Sequence, residues 1–202
     1  MITEHVIYSA ALAILVGMVF YRSTGRDPSW IIIVCAWAPD LDEIANPVLR
    51  RLGIRLLLDG SPIQHGTFHN IAFMVIFGIA VAFLLHPLGI KFFDALLFSM
   101  IGFLAHLFED ALVYNPGYMF FWPFSSKFFG LGWLPSVISE ENYVRDFFYL
   151  ANTEVLIIGL LVLLVAIIIR TYAEGSLTWF RWYIPDCIFK KYFEKKHNGP
   201  GR

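Results

Sequence analysis

The chain has 202 residues, of which 58% are hydrophobic and only 15% are charged, and its mean hydropathy is +0.65. A soluble domain of this length does not need so large an apolar fraction, so the composition indicates an integral membrane protein of one domain. The formal net charge of −1 excludes the strong positive field that is typical of nucleic-acid-binding proteins. The two cysteines, Cys35 and Cys187, are not spaced as a disulfide framework.

Five apolar segments follow one another along the chain, which predicts an all-α bundle in the membrane. Their approximate bounds are 5–21, 28–39, 69–85, 92–113 and 150–170. The second segment is short, because about a dozen residues rise only about 18 Å in a helix, whereas the hydrocarbon core is about 30 Å thick. It either ends inside the membrane or forms a tilted or re-entrant element.

The positions of Lys and Arg predict the orientation of the bundle in the cell membrane. If all five segments cross, most of the basic residues fall on the side of the C-terminus, which is therefore predicted to be cytoplasmic. Residues 1–175 are predicted to form the membrane-embedded domain. Residues 176–202 mix aromatic residues with lysines, which is typical of an amphipathic tail that binds anionic lipid headgroups at the interface.

Histidines and carboxylates recur at one set of segment ends, and ionisable groups at membrane depth usually mark a functional site. His106 and Asp110 are four positions apart near the end of the fourth segment, so a helix places them on one face. The same spacing separates His65 from His69 before the third segment. Three further residues fall at the same, outer, ends of the segments: His5, Asp40 and Asp42.

Imidazole nitrogens and carboxylate oxygens are good ligands for Zn, Mn and Fe, and a carboxylate can bridge two ions. The pattern therefore predicts a site for one or two divalent metal ions, with zinc as the first choice. The predicted ligands are His5, Asp40, Asp42, His65, His69, His106 and Asp110. Glu43 and Glu109 are interpreted as solvated or neighbouring groups, and Asp42 or Glu109 is predicted to take a proton from a water molecule during catalysis.

Several of these residues also have a purely structural interpretation. His5 fits an interfacial histidine near the terminus, His65 fits an exposed loop histidine, and Asp40 fits a helix N-cap after a proline. The whole cluster could hold membrane helices together through hydrogen bonds. A transport site for metal ions is the third possibility, but it requires polar residues along a path, whereas residues 77–85 are apolar.

Five short motifs carry a resemblance to a known family. They are His5, Ala-Pro-Asp-Leu-Asp at 38–42, His-Gly-Thr-Phe-His-Asn at 65–70, Gly-Phe-Leu-Ala-His-Leu-Phe-Glu-Asp at 102–110, and Phe-Trp-Pro-Phe-Ser at 121–125. Over about residues 1–130 the chain resembles the YdjM-like membrane-bound metal-dependent hydrolases, which are distantly similar to zinc-dependent phospholipase C enzymes. The resemblance implies metal ligands at these positions: His5, Asp40, Asp42, His69, His106 and Asp110.

The chain departs from the family pattern in the third motif, where the leading family His falls on Gln64 and the family Arg falls on His65. Either His65 takes over the ligand role one residue later, or the site has one histidine fewer. The function that the resemblance implies is hydrolysis of a phosphoester in a lipid or other amphipathic substrate. We further predict that the aromatic region of Trp122 and three basic residues guide the lipid headgroup: Arg50, Arg51 and Arg55.

Overall fold

The computed structural model describes residues 2–55, 57–58, 61–63, 65–133 and 153–184. The α-helices in these ranges are α1 Ile2–Thr24, α2 Trp30–Cys35, α3 Leu41–Arg51, α4 Ile71–Leu85, α5 Phe92–Val113 and α6 Thr153–Glu174. Short 3₁₀ helices span His86–Leu88 and Thr178–Tyr183. Two two-residue strands, β1 Leu57–Leu58 and β2 Ser61–Pro62, pair antiparallel between α3 and α4.

Four of these helices are long and apolar enough to cross a membrane, which confirms the predicted all-α membrane bundle. They cover Glu4–Thr24, Ile71–Leu88, Phe92–Val113 and Val155–Glu174. The second of the five predicted apolar segments is short, as expected, and contains the six-residue helix α2. Pro28 and Pro39 bound this segment, and proline disfavours helical backbone at the residue before it.

Contacts between helix ends define the two ends of the bundle. His5 near the start of α1 contacts Glu109 near the end of α5, so these two helices are antiparallel. The Tyr8 hydroxyl donates to the Val155 carbonyl, and Arg22 donates to the Ala173 carbonyl, so α6 is parallel to α1. We call the end that contains His5 and Glu109 the site end, and the end that contains Arg22 the opposite end.

The short helix α2 packs between α1 and α5 through apolar side chains. Ile31 and Ile32 of α2 are buried with Ala13 of α1 and Phe98 of α5 in one core cluster. The helices approach closely at Gly102, where a Cβ atom would lie only 2.6 Å from the Ile32 carbonyl oxygen. The glycine therefore lets the backbone of α2 lie directly against α5. Large apolar side chains on the outer faces of α4 and α6 are exposed, as expected for helices in contact with lipid.

A fully buried arginine joins three parts of the chain at the opposite end. Arg170 of α6 donates to Asp27 Oδ2 at 2.7 Å and to the Tyr183 hydroxyl at 3.1 Å. Its guanidinium lies 5.0 Å from the centre of the Trp179 ring, and Trp179 is itself buried. The first residues of the predicted interfacial tail thus pack against the bundle, while residues 185–202 lie outside the described part of the chain.

The buried ion pair at the opposite end gives a stability prediction. We expect Arg170→Met to lower the stability of the bundle by about 3–5 kcal/mol, because it leaves the Asp27 carboxylate buried without its partner. Thermal unfolding in detergent measures the loss. The double variant Asp27→Leu/Arg170→Met should recover part of it, since no charge is then left buried, and equal losses in both variants would contradict this account.

Candidate metal centre

Five side chains from four parts of the chain meet at the site end. They come from α1, from the turn between α2 and α3, from the residue before the α4 cap, and from α5. We call this set the buried centre, and its members are His5, Asp40, His69, His106 and Asp110, all of them buried.

The α2–α5 contact positions His106 and Asp40. One helical turn after Gly102, the His106 Nδ1 atom lies 2.7 Å from the Ala36 carbonyl oxygen. A carbonyl only accepts, so Nδ1 carries the proton and Nε2 presents its lone pair to the centre. Asp40 stands at the N-cap position of α3, yet its side chain makes no cap hydrogen bond. Its carboxylate instead lies beside His69 and His106, which argues against the purely structural interpretation of this residue.

The ring nitrogens and carboxylate oxygens of the centre are spaced as metal ligands are. His69 Nε2 lies 3.5 Å from Asp40 Oδ1 and 3.2 Å from Asp110 Oδ2. His106 Nε2 lies 3.6 Å and 3.4 Å from the same two oxygens. A tetrahedral zinc ion with ligands at 2.0–2.1 Å separates them by about 3.3–3.4 Å, so each of these nitrogens lies near ligand spacing from both oxygens. The ligand atoms of His69, His106 and Asp110 form one group within 4.8 Å of one another.

His5 completes the centre from the side of α1. Its ring stacks on the His106 ring at 3.7 Å between centroids, and its Nε2 lies 3.7 Å from Asp110 Oδ1. The His5 Nδ1 atom contacts Glu109 Oε2 at 2.8 Å. A carboxylate that holds Nδ1–H leaves Nε2 free to bind a metal, and this is the usual arrangement around metal-binding histidines. Glu109 therefore positions His5.

A tight turn before α4 presents His69. Asn70 caps α4 by accepting from the Phe73 N–H at 3.0 Å, and its side-chain amide donates to the Thr67 carbonyl. Gly66 has a φ of +88°, and a Cβ atom there would lie 2.6 Å from the Tyr118 ring. The turn thus needs glycine both for its backbone conformation and for the space that Tyr118 fills.

A second group of three side chains lies beside the buried centre. We call it the mouth cluster, because Glu43 and His65 are partly exposed; its third member is the buried Asp42. Asp42 Oδ2 accepts from the Phe68 N–H at 3.1 Å and lies 3.6 Å from His69 Nδ1, so Asp42 connects the cluster to the centre.

Tyr118 was not predicted from the sequence. Its hydroxyl contacts His65 Nε2 at 2.8 Å, and its ring lies 4.4 Å from the His69 ring. The segment that carries it is tied to the site end by two backbone hydrogen bonds, from Ile71 to Phe120 and from Leu131 to Ala111. The Pro- and Gly-rich pattern of this segment indicates a loop but does not indicate which aromatic ring turns inward.

The three aspartates of the site face histidines. In the described part of the chain, the ion-pair partners of Asp40, Asp42 and Asp110 are all histidines. Burial raises the pKa of Asp40, but the surrounding histidines lower it by more, so its pKa lies below the ordinary value. In the same way, His65, His69 and the Phe68 N–H together outweigh burial and lower the pKa of Asp42 to about 2. Both groups are therefore carboxylates at neutral pH.

Several buried polar atoms of the site have no hydrogen-bond partner among the described residues. They are Asp42 Oδ1, both ring nitrogens of His69, and His106 Nε2. An unsatisfied buried polar atom costs about 1–3 kcal/mol, and a bound metal ion would satisfy such atoms. Buried His and Asp groups at this site could therefore hold a metal ion.

A comparison with protein families matches residues 1–177 to the model described as YdjM inner membrane protein. The chain belongs to this family. No curated protein and no solved structure matches it. The matched region contains the bundle and all of the residues that form the candidate site in this YdjM-family protein, and it ends in the segment after α6. The match supports a membrane location and agrees with the resemblance that the motifs indicated.

The close approach of α2 to this site gives a testable prediction. We expect Gly102→Ala to push α2 away from α5, to weaken the Ala36–His106 hydrogen bond, and to lower the affinity for a divalent metal ion about 10–100-fold, as loss of an orienting contact typically does. Competition with a chromophoric chelator measures the affinity. Gly78→Ala, which crowds Met100 in the α4–α5 contact, is the matched control and should keep the wild-type affinity. Equal affinities in all three proteins would refute the positioning role.

Proposed function

We propose that this protein is a membrane-embedded metal-dependent hydrolase that cleaves a phosphoester in a lipid or another amphipathic substrate. The observation that carries the proposal is the buried set of His69, His106, Asp40 and Asp110, in which each histidine Nε2 atom lies 3.2–3.6 Å from one oxygen of each aspartate. The resemblance of its motifs to a group distantly similar to zinc-dependent phospholipase C enzymes supports the choice of reaction.

The residues of the buried centre would hold one divalent ion, with zinc preferred over manganese or iron because three imidazoles contribute. When bound, such an ion lowers the pKa of a water ligand and polarises a phosphoryl oxygen. The Ala36 carbonyl and Glu109 keep the His106 and His5 rings in the ligating orientation. Glu109 is thus better assigned to positioning than to proton transfer, whereas Asp42 keeps both predicted roles, cation ligand and proton acceptor.

The helix after Asp40 supports a lipid as substrate. On α3, Ile44 and Val48 are four positions apart and exposed, and Leu52 continues the same stripe. Arg50 and Arg51 near its C-terminus are also exposed. An amphipathic helix of this kind lies in the interface with its apolar stripe among the acyl chains and its basic residues near the phosphates. Because α3 begins at the site, it would hold headgroups close to the metal.

The apolar interior beyond the site favours hydrolysis over ion transport. The buried residues of α1, α2 and α5 between the site and the opposite end include Ala13, Ile31, Ile32 and Phe98. A transported cation would have to pass these side chains without ligands, which is very costly in an apolar medium. The site is therefore better described as a closed pocket than as part of a conduit.

The direct test combines metal content with activity. We expect purified protein in detergent to retain zinc, and to hydrolyse a phosphodiester or phosphomonoester lipid substrate. His106→Ala should lose the metal and reduce hydrolysis by at least about 100-fold, because it removes a ligand. The matched control is His86→Ala, an exposed histidine at the opposite end, which should retain both. If the protein binds stoichiometric metal but hydrolyses no lipid class, the proposed hydrolase activity is rejected and the proposed metal site is retained.

The basic residues of α3 give a separate prediction about the substrate surface. We expect Arg50→Gln/Arg51→Gln to reduce hydrolysis in vesicles that contain anionic lipid by up to about 30-fold, because each of the two basic residues contributes about 1 kcal/mol of binding near such a surface. The double variant should leave activity on a short-chain soluble substrate unchanged. Arg22→Gln, an exposed arginine at the opposite end, is the control. A fall of the same size on both substrates would point to a folding defect.

A further inference from the structure

We propose that the mouth cluster of Asp42, Glu43 and His65 is a second divalent-cation site. It lies beside the buried centre and uses a different set of ligand atoms. The inference rests on the proposed metal-dependent function and deepens it. The site would then bind two ions, one in the buried centre and one in the partly exposed mouth cluster.

The three ligand atoms are spaced for one ion. His65 Nδ1 lies 3.2 Å from Glu43 Oε1 and 3.6 Å from Asp42 Oδ1, and all three atoms lie within 4.8 Å of one another. The distances of 3.2 Å and 3.6 Å are close to the separation of about 3.3 Å between neighbouring ligands of a tetrahedral ion. Adjacent residues at the start of α3 supply the two carboxylates, and the turn before α4 supplies the imidazole.

The second observation is the unsatisfied oxygen of Asp42. This side chain is 0% exposed, and its Oδ2 atom already accepts from the Phe68 N–H. Its Oδ1 atom has no hydrogen-bond partner in the described part of the chain and faces His65 Nδ1. A buried carboxylate oxygen in this position is costly unless a cation or a donor satisfies it.

Tyr118 holds His65 in the orientation that a ligand needs. The 2.8 Å contact between the Tyr118 hydroxyl and His65 Nε2 leaves Nδ1 on the side of the two carboxylates. When Nε2–H donates to the tyrosine oxygen, Nδ1 has its lone pair directed at the cluster. The same ring packs against Gly66, so the turn and the tyrosine fix the imidazole together.

The chemistry of this second site differs from that of the buried centre. Two carboxylates and one imidazole suit zinc or manganese, and the His65 and Glu43 side chains are 25% and 30% exposed. With these three ligands from the described residues, a bound ion would keep coordination positions for solvent or for the oxygens of a phosphate group. We therefore expect the ion at the mouth to exchange faster than the buried one, with Asp42 as one of its ligands.

Metal stoichiometry tests the inference independently of activity. The full-length protein in detergent is loaded with zinc or manganese, freed of excess ion by gel filtration, and measured by mass spectrometry. We expect two equivalents in the wild type and one in Glu43→Gln, in His65→Ala and in Asp42→Asn. His86→Ala should keep two. Glu43 and His65 are partly exposed, so thermal unfolding should show Glu43→Gln and His65→Ala to be folded.

The possible outcomes separate the inference from the function on which it rests. If the wild type binds one equivalent of metal and the mouth-cluster variants also bind one, the second site is rejected and the buried centre is still supported. Two equivalents that persist in Asp42→Asn while hydrolysis falls would instead assign Asp42 to proton transfer and reject it as a ligand. No bound metal in the wild type would reject both the second site and the proposed metal dependence.

Discussion

The structure depends on how an apolar bundle accommodates the carboxylates of Asp40 and Asp110. Both are buried, and the groups that face them within the described residues are the imidazoles of His5, His69 and His106. Burying a carboxylate without compensation is very costly, so these five side chains can share the interior only as a set. The surrounding contacts, from Ala36, Glu109 and Asn70, serve to hold that set in one arrangement.

The short second segment is a consequence of this requirement. Asp40 and the Ala36 carbonyl have to reach the level of His106, which lies about 10 Å from the C-terminal end of α5. A helix that crossed the whole bilayer would carry Asp40 past this level, whereas six residues of α2 followed by turns end there. Gly102 then allows the contact that fixes the depth. The missing length of this segment therefore has a structural reason in the site itself.

The sequence predicted what depends on local pattern. Apolar runs indicated the spanning helices, and the four-residue spacing placed His106 and Asp110 on one face of α5. Two contacts could not be predicted in this way, the one between Tyr118 and His65 and the one between Arg170 and Asp27. Both depend on long-range packing, and the first also depends on the turn at Gly66, which the spacing of apolar residues does not indicate. The sequence interprets Glu43 as a solvated or neighbouring group, whereas the turn before α4 brings His65 Nδ1 to 3.2 Å from its Oε1 atom. The metal-binding and catalytic roles of the site residues stay predictions.

The two ends of the bundle solve the same electrostatic problem in different ways. At the opposite end the carboxylate of Asp27 has a permanent cation, Arg170, and the pair is completed by hydrogen bonds to Tyr183 and Ser29. At the site end the partners of Asp40 and Asp110 are histidines, which carry charge only when protonated and otherwise offer lone pairs. Because Arg170 neutralises Asp27 within the chain, this ion pair is stable without a bound ligand. Carboxylates surrounded by imidazoles can instead take their positive charge from a bound cation, and this contrast makes the site end the candidate functional site.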